Sequence, residues 1–392
     1  MKTKNRRNKI VLLGLLGMAM VLPLTACGKE ESHTNKIKIE KPENVIAAVE
    51  KDGAFSYIDC NGKDVFGEKY EYAGEFSEGL AVVKKDGKFG YISRDGKMEM
   101  QTDFDEAGSF QNGYAVIVKD QKYGFIDKTG KVAVEPAYDS AKGFTKSGLA
   151  LVKKDEKYGF INTKGEEVIP AKYISATEFS EDGFACVRTK KGYGMVAANG
   201  EETVPCKYDS IEPFAKNGLA LVSQKGLYGY VNQKGKIVIK PQFEQARSFA
   251  ENGLATAYKA TRWGYIDKSG KFVIKNEYKG AWNFENGFAV IMRNKKYGYL
   301  NKKGDIVIEP EYEAAEAFQK NGLAVIREEG KCGLIDKEGQ RILEPKYSAI
   351  ADFNEYGYAI VRKEGRYGII NAEGKEVVAP EYEAMGSIMS GL

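Results

Sequence analysis

Along most of the chain, apolar residues come in short bursts cut by Gly-containing turns, and no stretch beyond residue 45 sustains the period of an amphipathic helix. Leu80 to Gly113 shows the pattern. Leu80-Ala81-Val82-Val83-Lys84-Lys85 reads as a strand from its apolar and β-branched content. Asp86-Gly87 is a two-residue hairpin signal, and Lys88-Phe89-Gly90-Tyr91-Ile92 forms the returning strand. Asp95-Gly96 turns the chain again into a third strand, Lys97 to Phe104. In most later copies this third strand runs to Pro-x-Tyr, as in Pro136-Ala137-Tyr138 and Pro310-Glu311-Tyr312. Proline there predicts the strand's end. A loop follows, carrying a Phe six residues beyond that Tyr position: Phe110, Phe144, Phe179, Phe214, Phe249, Phe284, Phe318 and Phe353, with Ile388 in the last copy.

The pattern recurs ten times. One glycine series follows an aromatic residue at Gly90, Gly124, Gly159, Gly194, Gly229, Gly264, Gly298 and Gly368, with Gly333 after Cys332 and Ser56 standing in the first copy. Units begin at Ile46, Leu80, Tyr114, Leu149, Phe184, Leu219, Leu254, Phe288, Leu323 and Tyr358. A period of about 35 residues over 46–392 excludes the two or three independent domains that 392 residues would otherwise suggest.

With Asp86-Gly87 at the tip, Val83 faces Gly90, Val82 faces Tyr91 and Ala81 faces Ile92. Opposed residues share a face. Leu80, Val82, Phe89 and Tyr91 therefore make a bulky face, and Ala81, Val83, Gly90 and Ile92 a small one. Alanine recurs at the Ala81 position in every other unit, from Ala47 to Ala359. Both faces are apolar, so neither is meant for water, and the bulky face of one unit is expected to nest on the small face of the next. The expected fold is all-β: ten stacked three-strand units in an open, solenoid-like array. The alternative is a closed β-propeller, whose blades ordinarily have four strands and number four to eight.

Charge changes the picture mainly at the N-terminus. The formal net charge is +4, but Lys2, Lys4, Arg6, Arg7 and Lys9 supply five of the 59 basic residues. Without them 54 bases oppose 55 acids with signs interleaved, which predicts no nucleic-acid partner. The basic start, the apolar run Ile10–Leu22 (too short to span a bilayer) and Ala26 read as a secretory signal over 1–26. Leu24-Thr25-Ala26-Cys27 resembles a bacterial lipobox, which implies cleavage before Cys27, lipid on its thiol and attachment to a membrane outside the cytoplasm. Residues 27–45 then carry the lipidated Cys27 and a polar, flexible tether that holds the single histidine, His33.

The aromatic-Gly-Tyr/Phe-Ile-Asp/Asn-x-x-Gly-Lys-x-Val-Ile-x-Pro-x-Tyr pattern, well shown by Tyr228 to Phe243 and Trp263 to Tyr278, is similar to the bacterial WG (KWG) repeat. Only Trp263 has tryptophan in the first slot. The resemblance implies a secreted or surface protein whose repeats mediate contacts.

Candidate chemistry is sparse. One histidine leaves no His-based dyad or multi-His metal site. Cys60, Cys186, Cys206 and Cys332 lack metal-ligand spacing and read as scattered buried thiols. The recurring Asp/Asn-x-x-Gly at Asp59, Asp127, Asn162, Asn232, Asp267, Asn301, Asp336 and Asn371 suits a β-turn better than a calcium site, because half the residues are uncharged. Glu135, Glu309 and Glu344 recur in phase before Pro, the mark of a solvated edge, and no Gly-rich loop opens a helix. No cofactor and no metal is therefore expected. Four residues break the repeat and are candidates for binding: Tyr258, Arg262, Trp263 and Trp282, the last standing where the next unit has Ala317. The function expected is that of a lipid-anchored cell-surface scaffold, non-catalytic, offering a surface to a protein or glycan. The alternative is a cell-wall hydrolase on the same scaffold. A two-lobed solute receptor conflicts with the repeats.

Overall fold

The computed structural model describes residues 45–59, 61–387 and 389–390, with backbone alone for Val45, Met389 and Ser390. The expected signal, Cys27, the tether, His33, Cys60 and Ile388 lie outside the described residues. Every regular element described is a strand. The hairpin register is the one the sequence predicts: Val83 opposes Gly90, Val82 opposes Tyr91 and Ala81 opposes Ile92. At the tip, Asp86 and Gly87 both take positive φ, 52° and 75°, which matches the twist of the flanking strands.

Each unit is four-stranded, which corrects the three-strand expectation. Blade 4 is typical, with strands Ser140–Ala141, Leu149–Lys154, Lys157–Asn162 and Glu167–Tyr173. Its first strand lies in what reads as the loop before the recurring Phe, and pairs Ser140 with Lys153 and Ala141 with Val152. Blades 2 and 3 start at Tyr72 and Glu106, and blades 5 to 10 at Ser175, Ser210, Gln245, Gly280, Ala314 and Ala349. Nor does proline end the last strand. In blade 3 the strand runs Val132–Tyr138 through Pro136. It pairs Val134 with Phe125 and Tyr138 with Tyr123, so Glu135, Pro136 and Ala137 bulge outward between those pairs. A bulge on an edge strand needs no ladder donor from proline.

That bulge, rather than nesting between units, explains the aromatic-Gly glycines. A Cβ on Gly124 would stand 2.6 Å from the Val134 carbonyl oxygen and 2.7 Å from the Pro136 nitrogen, both in its own blade. Alanines do the nesting. Val82 and Tyr91 of blade 2 cluster with Ala115, Ile117 and Ile126 of blade 3. Leu149, Leu151 and Phe160 of blade 4 meet Ala185, Val187 and Val196 of blade 5. The bulky-to-small stacking is thus present, and the recurring Phe joins it, with Phe160 and Phe179 rings 4.6 Å apart.

The stack closes on itself, so the open array is overturned in favour of a ten-bladed propeller. Val45–Lys51 and Ala54–Asp59 of blade 1 take their inner partners from the other end of the chain: Val49 opposes Met385, Glu50 opposes Ala384 and Ile46 opposes Met389. Ala47, Val49 and Ile58 pack against Tyr358, Ile369 and Tyr382 of blade 10. The wedge formed by a bulky and a small face recurs ten times, and at a tenth of a turn per blade the last bulky face meets the first small one.

Candidate functional site

Three of the four repeat-breaking residues converge near the second-to-third-strand hairpin tips of blades 7 and 8. Tyr258 and Trp263 are directly opposed across the hairpin of blade 7, with rings 5.3 Å apart. The Trp282 ring lies 5.5 Å from that of Tyr297 in blade 8. Both tryptophans are half-buried. Arg262 does not join them. It opposes Lys259 and alternates away from the Trp263 face, and among the described residues its guanidinium donates only to the Thr261 carbonyl.

The cation that belongs to the cluster is Arg247. Its guanidinium sits 5.5 Å from the centre of Trp263 and 5.9 Å from that of Trp282, exposed and bridging two blades. Among the described residues no carboxylate pairs with it. Indole faces are the preferred partners of such a cation, and desolvation on ligand binding would strengthen the attraction. Sequence reading missed Arg247 because its position holds Gly74, Gly108, Lys142, Thr177 and Glu212 in other blades, a column with no rule to break. Strand register also corrects the comparison made for Trp282. Gly280 opposes Met292 as Ala314 opposes Arg327, so the counterpart of Trp282 is Glu316, not Ala317.

The support beneath this cluster is polar and shared by three blades. The fully buried Thr256 donates to Asn283 Oδ1 at 3.1 Å, and Asn283 Nδ2 donates to the Ser248 carbonyl at 2.8 Å. Ser248 Oγ donates in turn to Glu212 at 2.7 Å. These bonds hold the residues immediately after Arg247 and Trp282. Gly280 makes room for the indole: a Cβ there would stand 3.0 Å from Trp282 Cη2.

The remaining candidates have structural tasks. Asp127 Oδ1 accepts from the Thr129 and Lys131 amides, and Asn232 Oδ1 accepts from Lys234 and Lys236. The Asp/Asn-x-x-Gly oxygens are thus committed to closing turns. Hydrogen bonding from the Thr129 hydroxyl and nearby amides holds the Asp127 carboxyl below its ordinary range. Cys186 and Cys206 of blade 5 and Cys332 of blade 9 are buried free thiols, and burial pushes Cys186 up to about 12 and Cys206 to about 11. Glu135, Glu309 and Glu344 are exposed on edge strands. Glu285 and Glu316, from blades 8 and 9, touch solvent, yet surrounding protein raises both carboxyls, with the Asp352 charge of blade 10 adding to the effect.

The family described as WG containing repeat matches ten successive stretches: 55–89, 89–123, 123–158, 158–193, 193–228, 228–259, 263–297, 297–332, 333–367 and 367–392. The chain is a WG-repeat protein. Among solved structures, this WG-repeat protein is similar to a crystal structure of the eukaryotic initiation factor, with a TM-score of 0.51 and 12% identity over 88% of this chain and 97% of that one. At that identity the likeness is one of fold alone. Lower similarity extends to Porphyromonas gingivalis dipeptidyl peptidase 4 (TM-score 0.42, 11% identity, 80% of this chain and 60% of that one) and to dihydro-heme d1 dehydrogenase NirN (TM-score 0.41, 13% identity, 94% and 78%). Neither bears on what the WG-repeat protein does. No curated protein matches its sequence. Among the described residues, no helix is long and apolar enough to cross a membrane.

Proposed function

We propose that this ten-bladed WG-repeat propeller is a non-catalytic binding scaffold, tethered outside the bacterial cytoplasm by lipid on Cys27. Its ligand, a glycan or a protein, is recognised at the Tyr258, Trp263, Arg247, Trp282 and Tyr297 cluster. One observation carries the reading: the chain's only two tryptophans, on different blades, flank one exposed and unpaired guanidinium. Half-buried indoles with one open flank suit the ring faces of a sugar or an aromatic or cationic side chain. The buried hydrogen bonds beneath them keep the surface formed before the ligand arrives.

The same pair of tryptophans makes the test direct, because all indole emission comes from the cluster. The full chain is titrated with cell-wall polymers, glycans and secreted proteins while tryptophan emission is followed. A true ligand shifts or quenches the emission, and Arg247→Ala with Trp282→Leu abolishes the response. Emission that ignores every ligand shown to bind by calorimetry would remove the cluster from the reading. Turnover of a wall polymer that disappears on changing a single carboxylate would establish the hydrolase instead. Globomycin-sensitive processing of the precursor, lost in Cys27→Ser, checks the anchor.

A further inference from the structure

The interleaving of charge gives way in the groove of about 620 Å³ between blades 4 and 5. Five lysines line it: Lys157 and Lys172 from blade 4, Lys190, Lys191 and Lys207 from blade 5. Among the described residues none of the five forms an ion pair. The one acid in the lining is Glu202, whose Oε1 accepts the Cys206 amide at 3.1 Å.

Comparison with the other blades shows that this charge is a departure from the repeat and not a consequence of it. The residue linking one blade to the next is usually acidic, and it does two things. In two blades it pairs with the first cation of the preceding third strand, Lys122–Asp139 at 2.7 Å and Arg366–Glu383 at 2.8 Å. It also accepts an amide from the following hairpin tip: Asp120 to Asp105 at 2.7 Å, Asp155 to Asp139 at 3.0 Å, Ala260 to Glu244 at 3.0 Å and Gly330 to Glu313 at 3.1 Å. Between blades 4 and 5 this residue is Ile174. Lys157 consequently loses the partner that Lys122 and Arg366 keep.

The tip that Ile174 leaves uncapped is itself rebuilt. Nine hairpin tips hold both residues at positive φ, as Asp155 and Glu156 do at 47° and 62°. The tenth, Lys190-Lys191, holds neither there, and passes the positive φ to Gly192 at 133°. The Lys191 amide is instead satisfied by Thr189 Oγ1 at 3.2 Å. Three changes thus coincide at one spot: an acid lost, two lysines gained and a turn reshaped to present them. Two further ammonium groups are steadied by ring faces, Lys172 over Tyr173 at 5.3 Å and Lys207 over Tyr208 at 5.4 Å.

We infer that the groove between blades 4 and 5 is a binding site for a ligand bearing several phosphate groups. It is separate from the aromatic cluster of blades 7 and 8. Lysine ammoniums act as mobile point charges, suited to phosphate oxygens at varied positions, and five of them around one acid favour a ligand of high charge density. Their summed field would speed capture from solution and would weaken steeply with salt. The phosphates belong either to a small free compound or to a polyphosphate chain, and the chemistry of the groove is common to both.

Calorimetry on the full chain, with pyrophosphate in one arm and a long polyphosphate in the other, tests the assignment at low and at physiological salt. Binding in either arm is expected, with pyrophosphate at one equivalent marking a small ligand, and polyphosphate alone marking a polymer. Ile174→Asp, which restores the partner of Lys157, should weaken that binding at least tenfold. Lys190→Glu with Lys191→Glu, both exposed, should do the same and guards against a folding defect in the first variant. Lys216→Glu with Lys268→Glu changes net charge equally at a distance and should leave the affinity within twofold. Absence of binding in both arms, or equal losses in the distant variant, would overturn the site.

Discussion

The hydroxyl of Tyr265 in blade 7 donates a 2.8 Å hydrogen bond to the carbonyl of Trp282 in blade 8. The same bond, seventeen residues apart, recurs from Tyr57 to Gly74, Tyr91 to Gly108, Tyr230 to Arg247 and Tyr299 to Glu316. A tyrosine here does more than fill the bulky face, because it ties that face to the first strand of the next blade. Burial raises the Tyr265 phenol well above its usual range, so the donor keeps its proton at all ordinary pH. Tyr265→Phe should cost about 1–2 kcal/mol, since the Trp282 carbonyl loses its partner in a dry interface. Chemical denaturation at pH 7 measures this, and an unchanged midpoint would show that water replaces the phenol.

Two glycines of one blade should fail for different reasons. A Cβ on Gly229 would stand 2.5 Å from both the Ile239 carbonyl oxygen and the Pro241 nitrogen. Backbone cannot yield there, so Gly229→Ala should cost about 3 kcal/mol or more. Gly218 has φ +76° and open space around its missing Cβ. Gly218→Ala meets only the left-handed backbone penalty and should cost about 1–2 kcal/mol. Equal losses in a melting experiment would argue against the outward bulge as the reason for the aromatic-Gly pair.

The carboxyls of Glu285 and Glu316 set a pH dependence. Burial, then the Asp352 charge, lifts both above the ordinary value, while Arg327 acts in the opposite sense on Glu316. A folded-state value above the unfolded one means tighter proton binding in the folded chain. The benefit is therefore complete below the unfolded value and disappears as pH rises through the raised one. Replacing both with Gln should raise the melting temperature at pH 7, by about a degree, and leave it unaltered near pH 3.5. A gain of the same size at both pH values would assign the effect to packing.

Closure of the ring gives the largest effect. Ending the chain after Tyr382 removes Ala384–Met385 and Met389–Ser390, the inner partners of Val45–Lys51. Blade 1 would keep a two-stranded hairpin, which is marginal in water. The truncated chain should melt well below the intact one, in two steps instead of one, and scatter as a more extended particle. A single unshifted transition would show that the first and last blades need no shared sheet.

Much of this architecture is legible in the sequence, and the failures have physical causes. Hairpin register is fixed by two-residue tips and by alternation, so Val83–Gly90 and its neighbours follow directly. Ser140–Ala141 is too short to show a period, and the fourth strand escapes with it. Closure is a property of ten small rotations summed, which no single unit displays. Trp263 and Tyr258 both stand out as off-pattern residues, and the structure brings them together because one hairpin joins them. Arg247 and Trp282 meet only through contact between blades, and unit lengths that vary by one residue misplace the counterpart of Trp282. Ile174 was detectable in principle, as one apolar residue in a mostly acidic column that includes Asp139 and Asp209.

The pairing of Glu50 with Ala384 has a kinetic side. Hardly any contact in the chain spans more of its length, so the entropy of bringing these strands together falls late in folding and slows it. The first blade waits, half built, until Ala384 has left the ribosome. Once that latch has formed, a blade that loosens is held on both flanks, and the finished ring should unfold far more slowly than any of its arcs.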